Sequence, residues 1–129
     1  MSFLTKYQPQ LLSILRIVTG LLFFEHGMQK IVHFPPMTMA VPPEAATIIM
    51  IAAWIELIAG ALIVLGLFSR VAAFIASGEM AVAYWMVHFP KSPFPAINQG
   101  DAAILFCFVF LYIAAAGPGP LALSRSEKL

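Results

Sequence analysis

Four ionisable side chains interrupt the apolar runs of this chain away from their ends: Arg16, Glu25, Glu56 and Glu79. A charge placed in hydrocarbon is costly, so such residues face a bundle interior, where they pair with one another or serve a proton or ion path. Spacing indicates which way each points. Ser13, Arg16, Gly20, Phe23, Gly27 and Lys30 recur at alternating three- and four-residue steps, a single helical stripe that puts Arg16 on a glycine-bearing contact face. Glu56 is flanked by Ala52, Ala53, Ala59 and Gly60, and Glu79 shares a stripe with Ala72, Ala76 and Ala83. Small residues let helix backbones approach, so both acids are expected against packed neighbours. At a rise of about 1.5 Å per residue the two glutamates fall near mid-span, with Arg16 about 6 Å to one side, within reach of an arginine side chain. The expected contact is a buried pair of Arg16 with Glu56, Glu79 or both. One arginine cannot neutralise two carboxylates, so either one glutamate is protonated or Glu79 has a water or hydroxyl partner. The functional reading of Arg16, Glu56 and Glu79 is a proton-handling or quinone-headgroup site; the structural one is an ion pair that sets helix register.

Glu25 lies about two and a half turns from Arg16, on the opposite face. With His26, Gln29, Lys30, His33, His88, Lys91 and Asp101 it is expected at a polar mouth, for which an ordinary interfacial rim is the plainer account. The three histidines sit near span ends, and the chain has no His-Glu-x-x-His, cysteine pair or glycine-rich phosphate loop, so no intrinsic haem or metal site is expected. Cys107 lies in an apolar run and reads as a packing residue. Trp54, Tyr84, Trp85 and Tyr112 suit packing or interface anchoring, and their rings also suit flanking a flat lipophilic molecule.

The elements that must carry these residues follow from composition. Of 129 residues, 61% are hydrophobic and 10% charged, with a mean hydropathy of +0.93, which points to an all-α membrane protein in one integral domain, 1–129. A net charge of +1 and a pI near 7.9 give no basic face for nucleic acid. The first apolar stretch is long and carries Arg16 and Glu25, so it reads as a retained helix rather than a signal peptide. Four transmembrane helices are expected, over about 10–30, 44–68, 71–88 and 101–117. Their limits come from Pro9, His33-Phe34-Pro35-Pro36, Pro42-Pro43, Ser69-Arg70, the prolines between Phe89 and Gly100, and Gly117-Pro118-Gly119-Pro120. The stretch from Phe89 to Gly100 is expected to hold no helix. His33-Phe34-Pro35 and His88-Phe89-Pro90 each end an odd-numbered helix, and Glu44-Ala45-Ala46 and Asp101-Ala102-Ala103 open the next, which fits two parallel helical-hairpin repeats. Lys6, Arg70, Arg125 and Lys128 fall on one side against Lys30 and Lys91, so both termini are expected in the cytoplasm.

The chain resembles the DoxX family of small four-helix bacterial membrane proteins. The likeness rests on Arg16-x-x-x-Gly20-x-x-Phe23-x-x-His26-Gly27-x-Gln29-Lys30 and on Glu56-x-x-x-Gly60 leading into Leu65-Gly66-Leu67-Phe68-Ser69-Arg70-Val71-Ala72-Ala73. It extends to Gln99-Gly100-Asp101 and Gly117-Pro118-Gly119-Pro120, covering about Leu11 to Leu123. Asp101 stands where the family usually has glutamate, and Ala122-Leu123-Ser124 lacks a terminal acid often found there. The resemblance implies a bacterial plasma-membrane subunit, associated in some members with quinone-linked oxidation or redox defence, and not catalytic alone. It marks Arg16, His26, Gln29, Lys30, Glu56 and Asp101. A partner membrane or redox protein, or a homo-oligomer, is implied. The competing readings are a scaffold or assembly factor for another membrane protein and a small-solute or proton transporter.

Overall fold

The computed structural model describes residues 1–124. Arg125 and Lys128, two of the four charges behind the orientation argument, lie outside them. The described residues are helical, with no strand. A 3-10 segment, Ser2–Tyr7, leads into α1, Gln8–Ile31, and Pro9 sits in its first turn, where a missing N–H costs nothing. A 3-10 turn, Pro43–Ala45, opens α2, Ala46–Leu65. Helix α3, Ser69–Ala83, runs on through a π-helical turn, Tyr84–His88, and a 3-10 turn, Phe89–Lys91. The short α4, Pro95–Asn98, precedes α5, Asp101–Ala116.

Three of these segments are long and apolar enough to cross a membrane: Ser2–Ile31, Pro43–Leu65 and Ser69–Lys91. The fourth apolar helix, α5, is shorter, about 24 Å at the helical rise, so the expectation of four full spans is met in length by three. Helix α2 stops at Leu65 rather than Phe68. Gly66 takes φ +74°, and Leu67 N–H returns to Leu62 O, a Schellman-type closure that ends the helix three residues early. The proline-rich stretch after Phe89 also departs from expectation, because it contains the Phe89–Lys91 turn and α4. Prolines at the first or second position of each start these short segments rather than prevent them.

Helix α1 packs along α2, and α3 along α5, with a looser contact between α2 and α3 joining the two pairs. The buried face of α1 is the stripe of Ser13, Arg16, Gly20, Phe23 and Gly27, with Thr19 at its edge. A Cβ on Gly27 would stand 2.7 Å from Leu57 N, and one on Gly60 would stand 2.9 Å from Phe24 N, so these two glycines let the backbones touch and fix the α1–α2 register. Phe23 then meets Phe106 and Phe110 of α5 at centroid distances of 5.9 and 4.8 Å, the aromatic centre of the core. The two His-Phe-Pro copies differ in backbone: His33 has φ +59°, His88 φ −92°.

Candidate functional site

Antiparallel packing through glycine decides which charges meet. Gly20 lies against Ile63 and Val64, and Gly27 against Ala53, Glu56 and Leu57. Arg16, one turn before Gly20, is therefore carried to the C-terminal end of α2 and not to its middle. Its Nη1 donates to Ile63 O at 2.7 Å and Val64 O at 3.1 Å, and its Nη2 donates to Leu121 O. The expected pair of Arg16 with Glu56 or Glu79 does not form. The depth estimate aligned the span centres, whereas glycine contacts set a register in which Arg16 faces the end of α2. There the guanidinium meets carbonyls of the last turn of α2, of which Ile63 O also accepts Gly66 N–H, at the negative end of the helix dipole.

A second arginine repeats the arrangement. Arg70, at the start of α3, donates through Nη1 to Ala114 O at 3.0 Å and to Ala115 O, the last carbonyls of α5. Between the two arginines, residues 117–124 fold back across the molecule. Leu121 N–H donates to Ser13 Oγ at 3.0 Å, Leu123 N–H to Leu65 O at 3.0 Å and Ser124 N–H to Gly66 O at 3.2 Å. The start of α1, the α2–α3 turn and this strap thus share one end of the molecule.

The acids lie further along. Lys30, assigned from sequence to the mouth, turns inward, and its Nζ stands 2.5 Å from Glu56 Oε1 and 2.6 Å from Oε2. A lysine near a span end ordinarily extends toward the interface, so the inward turn reflects the pull of a buried carboxylate. Glu56 is 2% exposed and the Lys30 side chain 22%, which leaves the pair reachable only from the lysine side. Glu79 is within electrostatic range of both Glu56 and Lys30. Its Oε2 is buried and accepts no hydrogen bond from the described residues. It lines a cavity of about 240 Å³ between α2 and α3.

The remaining residues of the proposed mouth hold local structure. His26 Nδ1 donates to Leu22 O at 2.7 Å, with its ring edge-on to Phe106. Gln29 Nε2 donates to Pro36 O at 3.1 Å, and His88 Nδ1 to Asn98 O at 3.0 Å. Glu25 and Asp101 are exposed, Asp101 in the first turn of α5, where a negative charge suits the helix dipole. Among the described residues, no side-chain hydrogen bond joins one of Glu25, His26, Gln29, Lys30, His88 and Asp101 to another. The residue that organises this end is Asn98, which the sequence reading passed over. Its Nδ2 donates to Ser92 O at 2.8 Å and Tyr84 Oη at 3.3 Å, and its Oδ1 accepts from Gly100 N–H at 2.8 Å. The Asn-x-Gly spacing was the available signal, since an asparagine side chain commonly closes a turn on the N–H two residues on.

The sequence profile of the DoxX family matches residues 11–89, from α1 through the π-helical turn to Phe89, and so includes Arg16, Lys30, Glu56, Arg70 and Glu79. The chain belongs to the DoxX family. A Haemophilus influenzae protein named only as uncharacterised is 40% identical over 129 residues, covering 97% of this chain and 96% of that one. No solved structure matches. This DoxX protein therefore holds two charged clusters, arginines on helix ends and a lysine near two acids deeper in the molecule.

Proposed function

We propose that this DoxX protein is a non-catalytic integral subunit of a quinone-linked redox complex, with the Lys30–Glu56 pair as its proton-holding group. The observation that carries the reading is the inward turn of Lys30 onto a carboxylate that is 2% exposed. An ammonium has three N–H donors; with Glu56 on one side, the partly exposed side of Lys30 suits a quinone carbonyl, which only accepts. A quinone bound there supplies two-electron redox chemistry. The chain's own part is to orient the ring through Lys30 and to hold a proton at Glu56. Arg16 leaves the set of quinone candidates, because both of its Nη atoms are directed at carbonyls and the residue is wholly buried.

In this reading the protein crosses the bacterial inner membrane four times, α5 completing the span together with the segment around α4, and both termini lie in the cytoplasm. Lys6 and Arg70 at the shared end, with Lys30 withdrawn from the opposite one, support that orientation. Purification from native membranes in mild detergent, with mass spectrometry of bound quinone and co-eluting proteins, tests the proposal. Quinone and a redox partner are expected with the native protein, and Lys30→Met is expected to lose the quinone. A quinone-free preparation carrying a non-redox partner overturns it in favour of a scaffold. That second reading draws on one observation: Arg16 and Arg70 both tie helix ends, so much of the polar inventory has a structural task.

A further inference from the structure

Gly78 has no packing reason to be glycine. A Cβ built on Gly20, Gly27 or Gly60 would stand within 3 Å of a neighbouring helix, whereas one on Gly78 meets nothing within 4 Å. A mid-helix glycine costs about 1 kcal/mol relative to alanine, so open space beside it needs another explanation. Gly78 is exposed and borders a cavity of about 240 Å³ between α2 and α3, and Glu79, the next residue, forms part of its wall. The rest of the wall is aliphatic, including Ile48, Ile55 and Val82, and offers the carboxylate no side-chain donor. Lys30, the cation within electrostatic range, is engaged by both oxygens of Glu56.

The cavity does not end there. Ile51, Ile55 and Ile75 also line a second, wholly apolar groove of about 600 Å³ that runs past Trp54 to Phe68. A carboxylate at one end of a long hydrocarbon groove is complementary to a molecule with a positive, hydrogen-bond-donating head and an apolar body. Bilayer headgroup amines are too far away, since Glu79 lies roughly 15 Å or more along the helix from either end of Ser69–Lys91. The ligand must itself carry its amine into the hydrocarbon.

We propose that the cavity beside Gly78 and Glu79 binds a lipid-soluble amine entering from the bilayer, its ammonium on the Glu79 carboxylate and its chain along the groove toward Trp54 and Phe68. The site is separate from the Lys30–Glu56 pair and does not depend on the redox reading. Binding of tritiated dodecylamine to the full chain in phosphatidylcholine nanodiscs, corrected for empty discs, tests it. Saturable binding is expected for the native protein, weakened about tenfold or more in Glu79→Gln by loss of a charge-assisted hydrogen bond. Gly78→Phe, which fills the cavity and leaves the carboxyl in place, is expected to weaken binding comparably; it decides the matter if Glu79→Gln fails to fold. Lys30→Met is expected to retain binding, which separates this site from the quinone proposal. Uptake that does not saturate, equal uptake by native protein and Gly78→Phe, or equal competition by uncharged dodecanol overturns the proposal.

Discussion

Two regions of this molecule treat buried charge in opposite ways. At the end shared by the start of α1, the α2–α3 turn and the strap of residues 117–124, Arg16 and Arg70 point their donors at backbone carbonyls where α2 and α5 finish. Nearer the middle, Lys30 meets Glu56 as a side-chain ion pair and Glu79 has a buried oxygen with no donor among the described residues. Helix-end carbonyls are fixed partial charges that do not titrate, so an arginine placed on them serves as a permanent fastener. A lysine paired with one acid and within electrostatic range of a second has alternatives, because a proton can redistribute among such groups. The first cluster therefore stabilises the fold in one state, and the second is where a change of state is affordable.

The largest expected effect is at the fastener. Arg16→Ala removes donors from Ile63, Val64 and Leu121 together and is expected to cost about 4 kcal/mol in unfolding measured in bicelles, with faster amide exchange across residues 118–124. Arg16→Lys should recover little, because a single ammonium cannot present the planar fork that reaches α2 and the strap at once. Full recovery by lysine would mean that charge alone matters and would remove the distinction between the two regions.

Next comes the ion pair. Lys30→Met leaves Glu56 buried without its partner and is expected to destabilise by about 3 kcal/mol, whereas Lys30→Met with Glu56→Leu should return to within about 1 kcal/mol of the native protein. A double variant that folds well and loses quinone would sharpen the contrast, placing the pair on the functional side. A double variant as unstable as the single one would instead make the pair a second fastener.

The sequence disclosed the faces of the helices better than their register. The three- and four-residue spacing of Ser13, Arg16, Gly20, Phe23 and Gly27 identifies the buried side of α1, because side-chain direction in a helix depends only on local geometry. Which residue of α2 lies opposite depends on where backbones touch, and the depth estimate that joined Arg16 to Glu56 had no access to the contacts at Gly27 and Gly60. Lys30 illustrates the same point from the other side. It lies on the identified stripe, yet its nearness to the helix end suggested the interface, and only the antiparallel register brings Glu56 within its reach. Asn98 was legible in principle, since its turn is local, but three prolines in that stretch drew the reading toward an absence of structure.

The smallest expected effects separate two glycines of identical type. Gly27→Ala places a methyl group 2.7 Å from Leu57 N and 2.9 Å from Ala53 O, both backbone atoms that yield only if α1 and α2 separate. A cost of about 2 kcal/mol is expected, accompanied by a weaker Lys30–Glu56 contact because the same register supports both. Gly78→Ala meets open space, and replacing a mid-helix glycine should stabilise by about 0.5–1 kcal/mol. Unfolding measured side by side checks both. If Gly78→Ala also destabilises, something covers that face in the folded protein, and the cavity beside Glu79 belongs to an interface rather than to the bilayer. If it stabilises, the glycine is a cost carried by the native chain at a wall position beside the acid.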